Sequence, residues 1–369
     1  MLRKRIGEKN NLNTDNLEEL SKSKLKQEEQ SKSYKKKSLK KVIIVLCSFG
    51  FILYVVLPLW FISSPWLRGH IIFLTYISWP PFLNLTVPEK FGLTCARNFY
   101  IESEPGINLG VWHILPKSRW DGCQKESFNW EKEFDDQRPV ILYLHGNSGS
   151  RGGSHRVELY RVMSESKVDA HVVVFDYRGY GDSTLIDPTI AGVVQDAKVM
   201  YNWLKKRVDK SRIFIWGHSL GTGVTIRLAE RLSVENDNPM GIVLESAFDS
   251  LWKVGYHHPI SSLHRFLPYF EHCFVEPVRQ EDPNFDSEEK VGHITAPMLI
   301  LHAEDDLVVP FALGKNLFNR ARKERPSYLS PVEMIKYNSE LGYGHKYICR
   351  DPGLADVIFK FITDQKSLV

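Results

Sequence analysis

From about residue 96 the chain alternates short apolar runs with stretches of helical spacing. "ARNFYIES" and "INLGVWHILP" alternate polar and apolar positions, as opening antiparallel strands do. "VILYLHG", "HVVVFDYRG", "RIFIWG", "GIVLES", "PMLILHA" and "VEMIKYN" are continuous apolar runs closed by turn residues. Runs of that kind fit strands of a parallel sheet covered on both faces. Between them, "HRVELYRVMSES", "GVVQDAKVMYNWLKKR", "TIRLAERLS" and "GKNLFNRAR" carry apolar residues at helical spacing. The pattern predicts a doubly wound α/β domain over 96–369, with ligands at the carboxyl ends of its strands. The aromatic-rich stretch from Phe248 to about Val291 breaks the alternation and is expected to be a cap inserted over that site.

The N-terminal pattern is different. Residues 1–41 are rich in lysine, poor in apolar residues and without a steady period, so a disordered basic tail is expected. Val42 to Ile62 then carry no charge. About twenty helical residues rising about 1.5 Å each cross a hydrocarbon core of about 30 Å. A core helix would show polar positions, and a cleaved signal would be shorter and nearer the start, so 42–62 is read as a transmembrane helix. Lys35, Lys36, Lys37, Lys40 and Lys41 abut it, and the next positive charge is Arg68. This asymmetry predicts a type II single-pass protein with a cytosolic tail and a lumenal or extracellular domain. Within the juxtamembrane segment 63–95, "WLRGHIIFLTYISWPPFL" is too short to span again; it either lies in the membrane interface or packs on the domain. Asn84-Leu85-Thr86 is the one N-glycosylation acceptor in the chain.

Composition adds limits. The 369 residues, 43% hydrophobic, suffice for one large core or two modest ones. The net charge of +4 is small and sits in the tail, so nucleic acid is not an expected partner. Cys47 lies in the span, while Cys95, Cys123, Cys273 and Cys349 lie beyond it and allow three disulfide pairings that spacing does not separate. There is no CxxC pattern, and neither a metal nor a cofactor is expected.

Candidate chemistry concentrates at "IFIWGHSLGTG". A G-x-S-x-G step from strand to helix is a nucleophile elbow, a turn so tight that side chains two positions either side of the serine would collide. About 0.1 such pentapeptides would arise by chance in a chain of this length, and the flanking strand and helix patterns reduce that further. Ser219 is therefore the expected nucleophile. A serine hydroxyl needs a base, itself oriented by an acid. In this arrangement the order is serine, acid, histidine. "LILHAEDDLVVP" offers Asp306, with Asp305 as the alternative, and "SELGYGHKYI" offers His345. The oxyanion hole should use the N–H of Leu220 and the N–H of Asn147, in the loop after "VILYLHG". His145 is expected to prop that loop, and His218, His257, His258 and His264 to pack or face solvent. Arg151 and Arg156 follow the loop at the start of the next helix and are candidates for contacting an anionic lipid head group.

"LYLHGNSGSRGGSHRVELY", "FDYRGYGDS", "WGHSLGTG", "LILHAEDDLVVPF" and "LGYGHKYI" together resemble the membrane-anchored α/β-hydrolase-domain lipases that act on lysophosphatidylserine and monoacylglycerols. The likeness runs from about Cys95 to Phe361. It implies an α/β-hydrolase fold, a triad on Ser219, Asp306 and His345, membrane lipids as substrates, an endoplasmic reticulum membrane location and a lumenal or extracellular catalytic domain. The expected reaction is hydrolysis of a single-chain lipid ester through an acyl-enzyme. The alternatives are a protein depalmitoylase or thioesterase, which needs a cytosolic site for cytosolic proteins, and a non-catalytic scaffold, which would be expected to carry a broken triad.

Overall fold

A computed structural model describes residues 2–77, 83–123, 128–280 and 284–367. Two compact units divide after Trp60. Helix α1 runs unbroken over Leu2–Phe51 and passes through a wider π turn at Ile52–Val56 into α2 (Leu57–Ser63), within which the division falls. The tail expected to be disordered is thus helical. Residues 1–41 hold a single glycine, no proline and many Lys, Glu, Gln and Leu residues, so nothing in them stops a helix propagating from the apolar stretch. The helix over Glu19–Ser63 is long and apolar enough to cross a membrane. Ile44, Val45, Leu46, Phe49, Phe51 and Leu59 are all exposed, so it is not a buried core helix. An apolar face of that extent is at home in hydrocarbon.

The second unit starts with α3 (Pro65–Phe73), capped by the Ser64 hydroxyl, which accepts from the Leu67 N–H at 3.2 Å. Phe73 is 2% exposed, so of the two readings for this segment the structure has packing on the domain. Trp79, Pro80 and Pro81, the end of the segment read from sequence, lie outside the described residues. Strands β1 (Ala96–Glu104) and β2 (Ile107–Ile114) form a hairpin, followed by short α4 (Trp120–Cys123). Cys95 and Cys123 form a disulfide; Cys273 and Cys349 are free and buried.

The chain then alternates β3 (Val140–Leu144), α5 (Ser154–Glu165), β4 (His171–Phe175), α6 (Ile190–Lys205), β5 (Ile213–His218), α7 (Leu220–Val234) and β6 (Gly241–Glu245). The cap follows as α8 (Leu251–His257), turns over Pro259–Leu263 and Glu271–Val275, α9 (Glu276–Arg279) and α10 (Ser287–Lys290). It is exposed at Ile260, Leu263 and Phe266. β7 (Met298–Ala303), α11 (Phe311–Glu324), β8 (Glu333–Tyr337) and α12 (Leu354–Lys366) complete the domain. The eight strands form one sheet in the order β1-β2-β4-β3-β5-β6-β7-β8, parallel from β4 to β8 and antiparallel at β1 and β2.

Why the strands read as continuous apolar runs is visible in β3 and β5. Val140, Leu142, Leu144, Ile213 and Ile215 enter the core on one face of the sheet, while Ile141, Tyr143, Phe214 and Trp216 enter the core on the other. Both faces are covered, so both residue sets must be apolar. The sheet winds outward from β3 to β4 and returns to β5 beside β3. That reversal opens a crevice at the carboxyl ends of β3 and β5.

Candidate active site

The elbow sits at that crevice. Ser219 joins β5 to α7 with φ 53° and ψ −119°, a backbone region that side chains disfavour. The flanking glycines are required by space. A Cβ on Gly217 would stand 2.4 Å from the Gly221 carbonyl oxygen, and one on Gly221 would stand 2.0 Å from the Leu144 carbonyl oxygen. The Ser219 N–H donates to the Glu245 carbonyl at 2.9 Å, which ties the strained residue to β6.

Three separate loops meet at the Ser219 hydroxyl, on a residue that is 6% exposed. His345, in the loop after β8, places Nε2 2.9 Å from Ser219 Oγ and Nδ1 2.8 Å from Asp306 Oδ2. Because an ionised carboxylate only accepts, Nδ1 carries the proton and Nε2 is left to accept from the serine. Asp306 ends the turn after β7, and its Oδ1 accepts the N–H groups of Val308 and Val309 at 2.9 and 2.8 Å. Burial pushes its pKa up, but the His345 hydrogen bond and charge outweigh that and hold it below the ordinary carboxylate value. Asp305 acts on the backbone instead. Its Oδ2 accepts from the Gly344 N–H at 2.9 Å, fixing the loop that carries His345.

The loop after β3 closes against the elbow. A Cβ on Gly146 would lie 3.1 Å from Ser219 Cβ, so the loop's backbone approaches Ser219 directly. Leu220 is the first residue of α7, where N–H groups have no partner within the helix. Among the described residues, no protein acceptor takes the Asn147 N–H. Two backbone donors therefore flank the serine, a setting suited to a developing oxyanion. His145 is buried, with Nδ1 2.7 Å from the Gly146 carbonyl and Nε2 3.4 Å from Asp176, in keeping with a propping role. His264 is buried and packs on Phe274, while His257 is exposed and His258 half-buried on the cap.

Arg151 and Arg156 are not at the rim. Arg151 is 0% exposed: Nη1 donates to Asp176 and Asp182 at 2.6 Å each, and Nη2 donates to Asn98 at 2.7 Å. Arg156, 3% exposed, donates to the carbonyls of Gly146, Ser148 and Ser150 at 3.1, 2.9 and 2.6 Å. Both guanidinium groups are spent inside the protein, so the expectation that they meet a lipid head group is corrected. The terminal nitrogens of both buried guanidinium groups are met by acceptors inside the domain, which offsets the cost of taking the charges out of water.

Two buried side chains beside Ser219 make contacts that the sequence did not assign to them. His218, read as packing, donates Nε2–H to the His345 carbonyl at 2.8 Å, and burial pushes its pKa down to about 3. Glu245, at the end of β6, accepts from the Trp216 indole at 2.9 Å, and burial pushes its carboxyl up to about 7. His218 lies inside the glycine-serine elbow at a position the motif leaves open, and Glu245 lies in no motif.

Residues 139–253 match the family model of the alpha/beta hydrolase fold. The chain is 42% identical over 311 residues to the lysophosphatidylserine lipase ABHD12 of Danio rerio, covering 84% of this chain and 81% of the relative. It is 40% identical over 320 residues to the enzyme of the same name from Rattus norvegicus, covering 86% and 79%. Among solved structures, the Pyrococcus furiosus esterase Pf2001 superimposes with a TM-score of 0.55 at 19% identity, over 78% of this chain and 97% of that one, a likeness of fold.

Proposed function

The chain belongs to the α/β-hydrolase family of the lysophosphatidylserine lipases ABHD12, and on that premise we propose that it hydrolyses the acyl ester of single-chain lipids, lysophosphatidylserine first among them and monoacylglycerol second. The observation that carries the reading is the unbroken relay from Asp306 through His345 to Ser219, at 2.8 and 2.9 Å, beside two backbone donors that have no protein acceptor among the described residues.

In the proposed reaction the Ser219 oxygen attacks the acyl carbonyl while His345 Nε2 takes its proton. Asp306 stabilises the imidazolium that forms and keeps the ring oriented. The carbonyl oxygen gains charge and is met by the N–H groups of Leu220 and Asn147. The C–O bond to the glycerol breaks as His345 returns the proton to the leaving alcohol, leaving an acyl-serine. Water, deprotonated by the same imidazole, releases the fatty acid and restores the serine. No step calls for a metal or cofactor.

We read the protein as anchored by the helix over 42–62, with the domain lumenal or extracellular in an endoplasmic reticulum membrane. The lysines before Val42 support that orientation. The Cys95–Cys123 disulfide supports it independently, since such bonds persist in oxidising compartments. It counts equally against a depalmitoylase of cytosolic proteins. Asn84 is exposed in the same compartment, its side-chain oxygen accepting from the N–H and the hydroxyl of Thr86 at 3.0 and 2.6 Å, and is the proposed glycan site. The test is turnover by the full chain in liposomes. Fatty acid release from lysophosphatidylserine is expected to exceed release from a matched diacyl phosphatidylserine, and preference for the diacyl lipid would overturn the substrate class.

A further inference from the structure

The segment that follows the apolar helix reaches the oxyanion loop. At the end of α3, Leu74 turns the chain with φ 49°, and the carbonyls of Ile72, Phe73 and Ile77 on either side of that turn meet residues 147–149. Asn147 Nδ2 donates to the Ile72 carbonyl at 3.3 Å, Ser148 N–H to Phe73 at 3.2 Å and Gly149 N–H to Ile77 at 2.7 Å. The buried Tyr180 hydroxyl also donates to the Phe73 carbonyl, pinning the segment from beneath. On the opposite side Arg156 holds the loop's carbonyls.

This division of donors has a consequence. Ser148 and Gly149 both stand at positive φ, 59° and 63°, a conformation that needs support at the serine. Their N–H groups are consumed by residues 73 and 77. Of the three consecutive backbone donors at 147–149, the Asn147 N–H alone is left without a protein acceptor among the described residues. Remove the segment, and the loop loses the contacts that fix both its backbone conformation and the direction of that one free donor.

We propose that residues 72–77 form a strap that positions the oxyanion hole, Phe73 and Ile77 acting through their carbonyls and Tyr180 locking Phe73 in place, so that the stretch of chain next to the apolar helix belongs to the catalytic machinery. The inference rests on the reading of Asn147 as an oxyanion donor. The strap residues touch no reacting atom; they are positioning residues.

The test uses the full chain in liposomes with two conservative variants, Tyr180→Phe and Phe73→Leu, beside Ser219→Ala. Loss of one oxyanion donor costs about 10²- to 10³-fold in rate, and a donor that is displaced but still present should cost less, about 5- to 30-fold. The strap variants are expected to lose that factor in kcat with KM unchanged. They should lose the same factor in affinity for a trifluoromethyl ketone of matching chain length, whose serine adduct carries an oxyanion. A merely structural role would lower the active fraction and leave ketone affinity per active site untouched. Wild-type kcat and ketone affinity in whichever variant folds would overturn the strap while a dead Ser219→Ala leaves the hydrolase reading standing. Turnover by Ser219→Ala would overturn both.

Discussion

His218 donates its Nε2–H to the backbone carbonyl of His345 at 2.8 Å, so the residue before Ser219 holds the loop that carries the imidazole facing it. Burial keeps this imidazole neutral to about pH 3, and a carbonyl can only accept, so the bond persists across the working range. His218→Leu is expected to lower kcat about 10- to 100-fold with little change in KM, because small misplacements of a catalytic group have effects of that size. Steady-state kinetics of the folded variant would decide it; a loss confined to KM would contradict the positioning role.

Arg151→Gln removes one partner of a fully buried pair with Asp176. Breaking such a pair costs about 3–5 kcal/mol, and a drop of that size in denaturant unfolding is expected. The ratio of lysophosphatidylserine to monoacylglycerol turnover should stay constant in whatever folds. A selective loss on the charged lipid would restore the arginine to the head-group site.

The contrast shows where sequence reasoning stops. Eight strands and the elbow were legible because their causes are local: covered sheet faces demand apolar runs, and Gly217 and Gly221 are the only residues their neighbours leave room for. Chain order was enough to pick out the three side chains that meet, Ser219, Asp306 and His345, and the structure adds that Asp306 rather than Asp305 reaches His345. The fate of Arg151 was not legible, since its carboxylates lie 25 and 31 residues away in another loop. The strap was hidden because its contacts are backbone carbonyls, which leave no signature in side-chain identity. The helix of the tail was not legible because few apolar residues and no steady period argued for disorder, although its residue types allow a helix.

Glu245 gives a pH prediction. Its folded pKa, about 7, lies above the ordinary 4.5 because burial favours the neutral acid. A raised acid contributes stability that is full below the ordinary value and is lost as pH rises through about 7. Glu245→Gln cannot ionise, so its melting temperature relative to the parent should climb between about pH 5 and pH 8. Differential scanning fluorimetry across that range would show it, and a difference independent of pH would contradict the buried, neutral state.

Topology can be checked through the disulfide. Closing a loop over a sequence separation of 28 residues is worth about 3 kcal/mol or slightly more. Cys123→Ser should lower stability by about that amount. In sealed microsomes, protease should remove the tail and spare the disulfide-bonded domain; digestion of the domain would reverse the orientation.

The central claim is that Ser219, activated by His345, is the nucleophile of a lipid ester hydrolase. The most direct measurement is peptide mass spectrometry after reaction of the full chain with an alkyl fluorophosphonate, run beside lysophosphatidylserine hydrolysis. A single adduct on Ser219, stoichiometric loss of activity, and neither adduct nor turnover in a folded Ser219→Ala variant are expected. An adduct on another residue, or turnover surviving in Ser219→Ala, would contradict it.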